Sequence, residues 1–151
     1  MGFITIILAV FTIELFIKNY MDQKLKKGKS EEICNGNIIL NKCYNKGAAM
    51  NFMEKYPRVL MGFTISLIVG LFIFLIDSLM HKESKIEKLG LSFILGGAIS
   101  NLYDRVSKGH VVDYFSFKWK KIRHIVFNLA DMFVFAGCLL LLIINLLPKK
   151  K

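Results

Sequence analysis

The chain has 151 residues, 21 Lys and Arg against 11 Asp and Glu, a formal charge of +10, and 54% hydrophobic residues. With 13 Phe and a mean hydropathy of +0.48, it has too much apolar surface for a disordered chain. The same surplus argues against a water-soluble nucleic-acid binder, and the lysines suit a border with anionic lipid. The length suits one domain over residues 1–151.

A bilayer core about 30 Å thick takes about 20 apolar residues of helix to cross. Four segments meet or approach that requirement: Gly2 to about Met21, Val59–Met80, Leu89 to about Val106, and Ile125–Leu147. The third is the weakest, with Asn101, Asp104 and Arg105 near its end. The first lacks a basic leader and a small-x-small cleavage site, so it reads as a retained span. Ile6 also breaks the myristoylation pattern. The expected fold is an all-α membrane protein with four transmembrane helices, a small β-cradle and a short interfacial helix.

With four spans, the loops at about 22–58 and 107–124 lie on one side. Both termini and the link His81–Lys88 lie on the other. The larger loops, counted from Asp22–Arg58 and Arg105–Arg123, hold 14 Lys and Arg, against 6 in the short link and tail. The positive-inside rule alone would therefore place the larger loops in the cytoplasm.

Within the first loop, Asn35-Gly36 between apolar residues predicts a two-residue hairpin. Ile38–Leu40 follows as a strand, and Ala48–Met53 as a short helix on the membrane. Phe115, Phe117 and Trp119 alternate with polar residues, which predicts another strand, with Trp119 suited to the interface.

Polar residues beside apolar helix carry the chemistry, since an Asp in mid-bilayer costs about 2.5–3.5 kcal/mol and needs a partner or a task. Asn128 and Asp131 share a helical face, and Gly97, Asn101, Asp104 and Arg105 form a stripe. Asp113 follows that stripe shortly and lies toward the same side. Two adjacent carboxylates do not both ionise easily, so one keeps a proton at neutral pH. The ionised one can take a proton from an attacking water while the other polarises a carbonyl and later protonates the leaving amine. The other reading of the spacing is that each Asp caps a helix or pairs with Arg105.

Five motifs then occur in order: Asp22-Gln23-Lys24-Leu25-Lys26, Asn45-Lys46-Gly47-Ala48-Ala49, Gly96 to Arg105, Gly109-His110-Val111-Val112-Asp113-Tyr114, and Phe127-Asn128-Leu129-Ala130-Asp131. Together they resemble the bacterial lipoprotein signal peptidase family (signal peptidase II). The resemblance implies an aspartyl endopeptidase of the bacterial cytoplasmic membrane, without cofactor or metal. It would cut prolipoproteins before their diacylglyceryl-modified cysteine, with membrane lipid and globomycin-type inhibitors as further ligands. Asp113 and Asp131 are then the catalytic pair, with Asn45, Gly47, Asn101, Arg105 and Asn128 around the substrate. Asp22 and Lys26 match the first-span element, in support of the site. The first-loop sheet and short helix would form a cradle and clamp. The resemblance also puts both termini in the cytoplasm and the aspartates outside, against the charge bias. Met50, Ser100 and Met132 depart from the common pattern without touching a catalytic carboxylate.

Other features have plainer readings. Glu14, Lys18 and Asp22 share a helical face and are expected to pair near the interface rather than relay protons. His81, His110 and His124 lack metal-ligand spacing, though His110 stands near enough in sequence to tune Asp113. Cys34 and Cys43 could pair if their loop is exterior, and Cys138 faces lipid or packs between helices. Ser107-Lys108 is a poor catalytic dipeptide. The expected protein is a monomeric peptidase. A non-catalytic relative that binds lipoprotein or lipid, and a four-helix transporter or channel subunit, remain the alternatives.

Overall fold

Four helices and a three-stranded sheet make up the computed structural model, which describes residues 2–48, 52–81, 84–119 and 121–146. In chain order they are α1 (Gly2–Lys24), β1 (Ser30–Ile33), β2 (Ile38–Asn45), α2 (Pro57–Met80), α3 (Lys85–Lys108), β3 (Val111–Phe117) and α4 (Leu129–Leu146). Among the described residues, α1, α2 and α4 are long and apolar enough to cross a membrane. They turn Phe16, Phe63, Ile73, Phe135 and Leu142 outward, an apolar exposure that water would not tolerate over such an area and lipid would.

The remaining long helix, α3, is polar for a different reason: its neighbours are protein. It packs against each of the other three helices. Leu91 and Leu95 are fully buried with Ile7 of α1 and Leu75 of α2 in the main core cluster. Glycines let the backbones close up. A Cβ on Gly97 would stand 2.5 Å from the Ala130 carbonyl oxygen, and one on Gly137 would stand 2.5 Å from that of Gly90. Small residues at such crossings are how membrane helices approach without a hydrophobic driving force. Ser84 starts α3 by accepting the Ile86 N–H. Gly109 ends it at φ +75°, with its N–H returned to the Arg105 carbonyl.

The sheet runs β1-β2-β3, antiparallel throughout. The hairpin is present, but its link is four residues long. Cys34, Asn35 and Gly36 all take positive φ, and Ile33 pairs with Ile38. The following strand extends to Asn45 rather than stopping at Leu40, and the third-loop strand starts at Val111, ahead of Phe115. One extra residue bulges out of β2 between Leu40 and Cys43, which resets the register so that Asn45 faces Val111. Leu25, Leu40 and Tyr114 anchor the sheet to the end of the bundle. The helix expected over Ala48–Met53 falls partly on residues 49–51, and Lys149–Lys151 wholly, outside the described residues.

Helix bounds shift in one place that matters. Ile125–Asn128 is not the first turn of α4 but an extended lead-in, with Phe127 bridged to Phe115, so Asp131 stands in the helix's first turn. Cys34, Cys43 and Cys138 are free thiols. Cys34 is on the hairpin tip and Cys43 five residues along β2 from Ile38, about 16 Å at strand rise, too far for a disulfide.

Candidate active site

Three local devices bring the polar residues to one end of the bundle. The Gly109 turn sends the chain from α3 straight back into β3, which returns Asp113 to the level of Asn101. The β2 bulge places Asn45 diagonally across from Asp113 on the same sheet face, where its Nδ2 donates to Asp113 Oδ2 at 3.1 Å. At the start of α4, Asn128 and Asp131 cap each other. The Asp131 N–H donates to Asn128 Oδ1 at 2.9 Å, and the Asn128 N–H donates to Asp131 Oδ2 at 3.1 Å. This is a reciprocal capping box with a carboxylate at its third position.

The cap and the carboxylate pair are one structure. Asn128, fully buried, also sends its side-chain Nδ2 to Asp113 Oδ1 at 2.7 Å. Asn101 donates through Nδ2 to Asp131 Oδ1 at 2.9 Å, and its oxygen accepts from Asn128 Nδ2 at 3.1 Å. All four carboxylate oxygens therefore have an N–H donor, and two asparagines link the carboxylates. Asp131 thus takes part in the cap of α4 and, through Asn101 and Asn128, in the network that holds Asp113. Asp113 is 2% exposed. Burial, then the neighbouring Asp131 charge, push its pKa up to about 7, against the donors that favour ionisation.

Arg105 closes the site from the side. Its Nη2 donates to the Gly47 carbonyl at 2.7 Å and its Nη1 to the Asn101 carbonyl. The Gly47 N–H donates to Asn45 Oδ1 at 3.0 Å. The loop after β2 is thereby tied to α3. Both aspartates, Asn45, Asn101 and Arg105 line a cavity of about 480 Å³, whose other wall is apolar, with Val134, Phe135 and Cys138 of α4 and Thr64 of α2. Met132 lines it too. Ser100 is buried in the bundle.

Asp22 and Lys26 do not reach this site. Asp22 accepts from the Tyr44 hydroxyl at 2.8 Å and pairs with Lys42 at the sheet edge, and Lys26 is exposed. Two other residues of α1 take that place. Glu14 and Lys18 are fully buried; Lys18 Nζ lies 3.1 Å from Asp104 and donates to Asn101 Oδ1 at 2.8 Å. Their expected pairing near the interface is present only as a loose 4.0 Å contact inside the bundle. The available signal was that they are the sole ionisable residues between Gly2 and Lys18 and so needed partners. His110 packs against Tyr44, the rings tilted by 51° with centroids 4.2 Å apart. Among the described residues, no group of three or more His, Cys, Asp and Glu is arranged to hold a metal ion.

Paired carboxylates in a half-apolar cavity, at one end of a bundle of membrane-length helices, define the class: a membrane-embedded hydrolase of the aspartic type. Comparison with known proteins narrows it. The profile of the signal peptidase (SPase) II family matches residues 6–147. The chain is 32% identical to the lipoprotein signal peptidase of Haemophilus ducreyi over 151 residues, covering 95% of this chain and 90% of that one. It is 40% identical to the Serratia marcescens lipoprotein signal peptidase over 107 residues, 71% of this chain and 63% of that one. A bacterial membrane enzyme solved in meso at 2.3 Å superposes with a TM-score of 0.82 at 23% identity, covering 99% of this chain and 93% of that one, a likeness of fold. The chain belongs to the signal peptidase II family.

The raised Asp113 pKa has a stability consequence. The folded state holds this proton to about pH 7, whereas the unfolded chain releases it near the ordinary aspartate value of 3.8. Stability is therefore greatest below the unfolded value and falls as pH rises through the window between them. Thermal melts in detergent should show a smaller loss of Tm from pH 5 to pH 8 in Asp113→Asn than in the wild type. Equal losses would contradict the shift.

Proposed function

We propose that this protein removes the signal peptide from diacylglyceryl-modified prolipoproteins, cutting just before the lipidated cysteine, with Asp113 and Asp131 as the acid–base pair. The observation that carries the reading is the Asn128 side chain and backbone, which hold one carboxylate each at the wall of the cavity. The pair enters the reaction with one proton. Its ionised member takes a proton from water as the oxygen attacks the scissile carbonyl, and its protonated member donates first to that carbonyl. When the C–N bond breaks, the amine nitrogen is protonated and the pair again holds one proton. Asn45, Asn101 and Asn128 keep both side chains oriented throughout. Arg105 and Gly47 hold the loop that borders the substrate.

The signal helix would enter between α2 and α4. α2 packs principally on α3, and Thr64, Phe135 and Cys138 line the cavity from the two facing helices. The diacylglyceryl chains can then stay in lipid. α3 is read as the fourth span: α2 leaves the site end and α4 starts from it, so the 24 residues of α3, about 36 Å long, must return the chain. We place both termini in the cytoplasm and the site at the outer face, in a monomer inhibited by globomycin-type peptides. The transporter alternative needs a polar path, but Ile7, Leu75, Leu91 and Leu95 fill the middle of the bundle.

In a cleavage assay on lipidated precursor, Asp113→Asn and Asp131→Asn should each insert normally and lose activity by about 10³-fold, within the range for a positioned acid or base. A well-folded variant of either that cuts near the wild-type rate would refute the assignment. For orientation, Cys34 is exposed on the hairpin tip. In a Cys43→Ser/Cys138→Ala background, a membrane-impermeant maleimide should label it from outside intact spheroplasts. Labelling only after lysis would reverse the topology.

A further inference from the structure

Among the buried ionisable side chains that the mechanism leaves without a task, two stand on α1. Glu14 and Lys18 lie on α1, both fully buried, and burying them is costly unless each is paired and hydrogen-bonded. A merely compensating pair would face each other closely. These two stand 4.0 Å apart and reach in different directions. Lys18 turns to α3, where it meets Asp104, Asn101 Oδ1 at 2.8 Å and Ser100 Oγ at 3.3 Å. Glu14 turns to the start of α4. The Tyr114 hydroxyl donates to Glu14 Oε2 at 3.2 Å while accepting the Leu129 N–H at 3.0 Å. The first N–H of the helix that carries Asp131 is thus held by the Tyr114 hydroxyl, which Glu14 orients from α1.

The Asn101 contact has a direction. An amide presents an oxygen acceptor on one side and an N–H₂ donor on the other, and an ammonium offers donors only. Lys18 therefore holds the Asn101 oxygen, which leaves Nδ2 pointing at Asp131 Oδ1, 2.9 Å away. With the amide reversed, two donors would oppose each other at Lys18 and two acceptors at Asp131. We infer that Lys18 and Glu14 are positioning residues for the acid–base pair: Lys18 sets the Asn101 amide so that it donates to Asp131, and Glu14 anchors the turn of α4 from which Asp131 projects. This rests on the proposed roles of Asp113 and Asp131.

The test compares Lys18→Met with Lys18→Arg, which is also a donor only, by cleavage of lipidated precursor and by thermal melts. Folded Lys18→Met should lose roughly 100-fold in kcat, the scale of a small misplacement at a reacting group, with KM little changed. Lys18→Arg should recover most of that loss. If Lys18→Met fails to insert, Lys18→Met/Asp104→Asn removes both charges and keeps an acceptor for the Val112 N–H, which Asp104 now binds; the same criteria apply. A folded variant lacking Lys18 with wild-type kcat, a loss in KM alone, or no rescue by Arg would each overturn the inference. A measurement without substitution at position 18 stands beside these. In ¹⁵N-asparagine-labelled wild-type protein, the Asn101 side-chain protons should show cross-relaxation to Asp131 and not to the Lys18 methylene beside the ammonium; the reverse pattern would also overturn it. If Asp131→Asn itself cleaves normally, the acid–base assignment fails. If it is inactive while folded Lys18→Met is normal, that assignment stands and only this inference falls.

Discussion

Asn128 bonds one aspartate with its side chain and the other with its backbone, and the chemistry of the site depends on that double attachment. Two carboxylates placed together out of water repel each other and lose solvation. Left to themselves they would separate or fill with protons. Here the cost is offset by a donor at every carboxylate oxygen, supplied by Asn45, Asn101 and Asn128. Because Asn128 is also the N-cap of α4, the separation of the pair is set by helix geometry and not by flexible loops. A cap of this kind contributes about 1 kcal/mol to a helix; at this position it also aligns the two carboxylates.

The bundle supports that arrangement by putting its polar helix in the middle. α3 carries Asn101, Asp104 and Arg105, and it can do so because α1, α2 and α4 surround it and take the lipid contact themselves. Glycines at 97 and 137 bring α3 and α4 within backbone reach, which keeps Asn101 and Asp131 at hydrogen-bond distance. Two further buried contacts tie elements together, the Lys18–Asp104 ion pair between α1 and α3 and the Tyr114–Glu14 hydrogen bond between β3 and α1. Such contacts contribute little net stability relative to an apolar core, but removing one member of a buried pair costs about 3–5 kcal/mol. They fix which arrangement is adopted. The 14 basic residues of the larger loops include Arg105 at the cavity wall; in the proposed topology the loops that carry them lie on the outer side, at the site-bearing end.

Much of the architecture could be read from the sequence, because lipid and sheet both impose periods. The long apolar runs gave the helices to within a few residues, and Asn35-Gly36 and the Phe115/Phe117 alternation marked the hairpin and the strand. What escaped the sequence was set by distance across the fold. Glu14–Lys18 and Asp22–Lys26 have the same i,i+4 spacing, but α1 ends at Lys24 and leaves Lys26 beyond it. Only the height of α1 against α3 decides which pair meets Asn101. The start of α4 was placed too early because Ile125–Phe127 is as apolar as a helix would be, and its bridge to Phe115 is a long-range pairing that periodicity does not report. The aspartates, asparagines and Arg105 came together where motif order had suggested, since each sits beside a local device: the Gly109 turn, the β2 bulge and the α4 cap.

The central claim is that Asp113 and Asp131 hold one proton between them. Infrared difference spectra of protein carrying ¹³C-labelled aspartate report protonated aspartyl groups separately from Glu14. At neutral pH the account predicts one protonated-carboxyl band that disappears in Asp113→Asn and weakens in Asp131→Asn, where burial of Asp113 remains and the neighbouring charge is gone. A band that survives both substitutions, or no such band in the wild type, would contradict it.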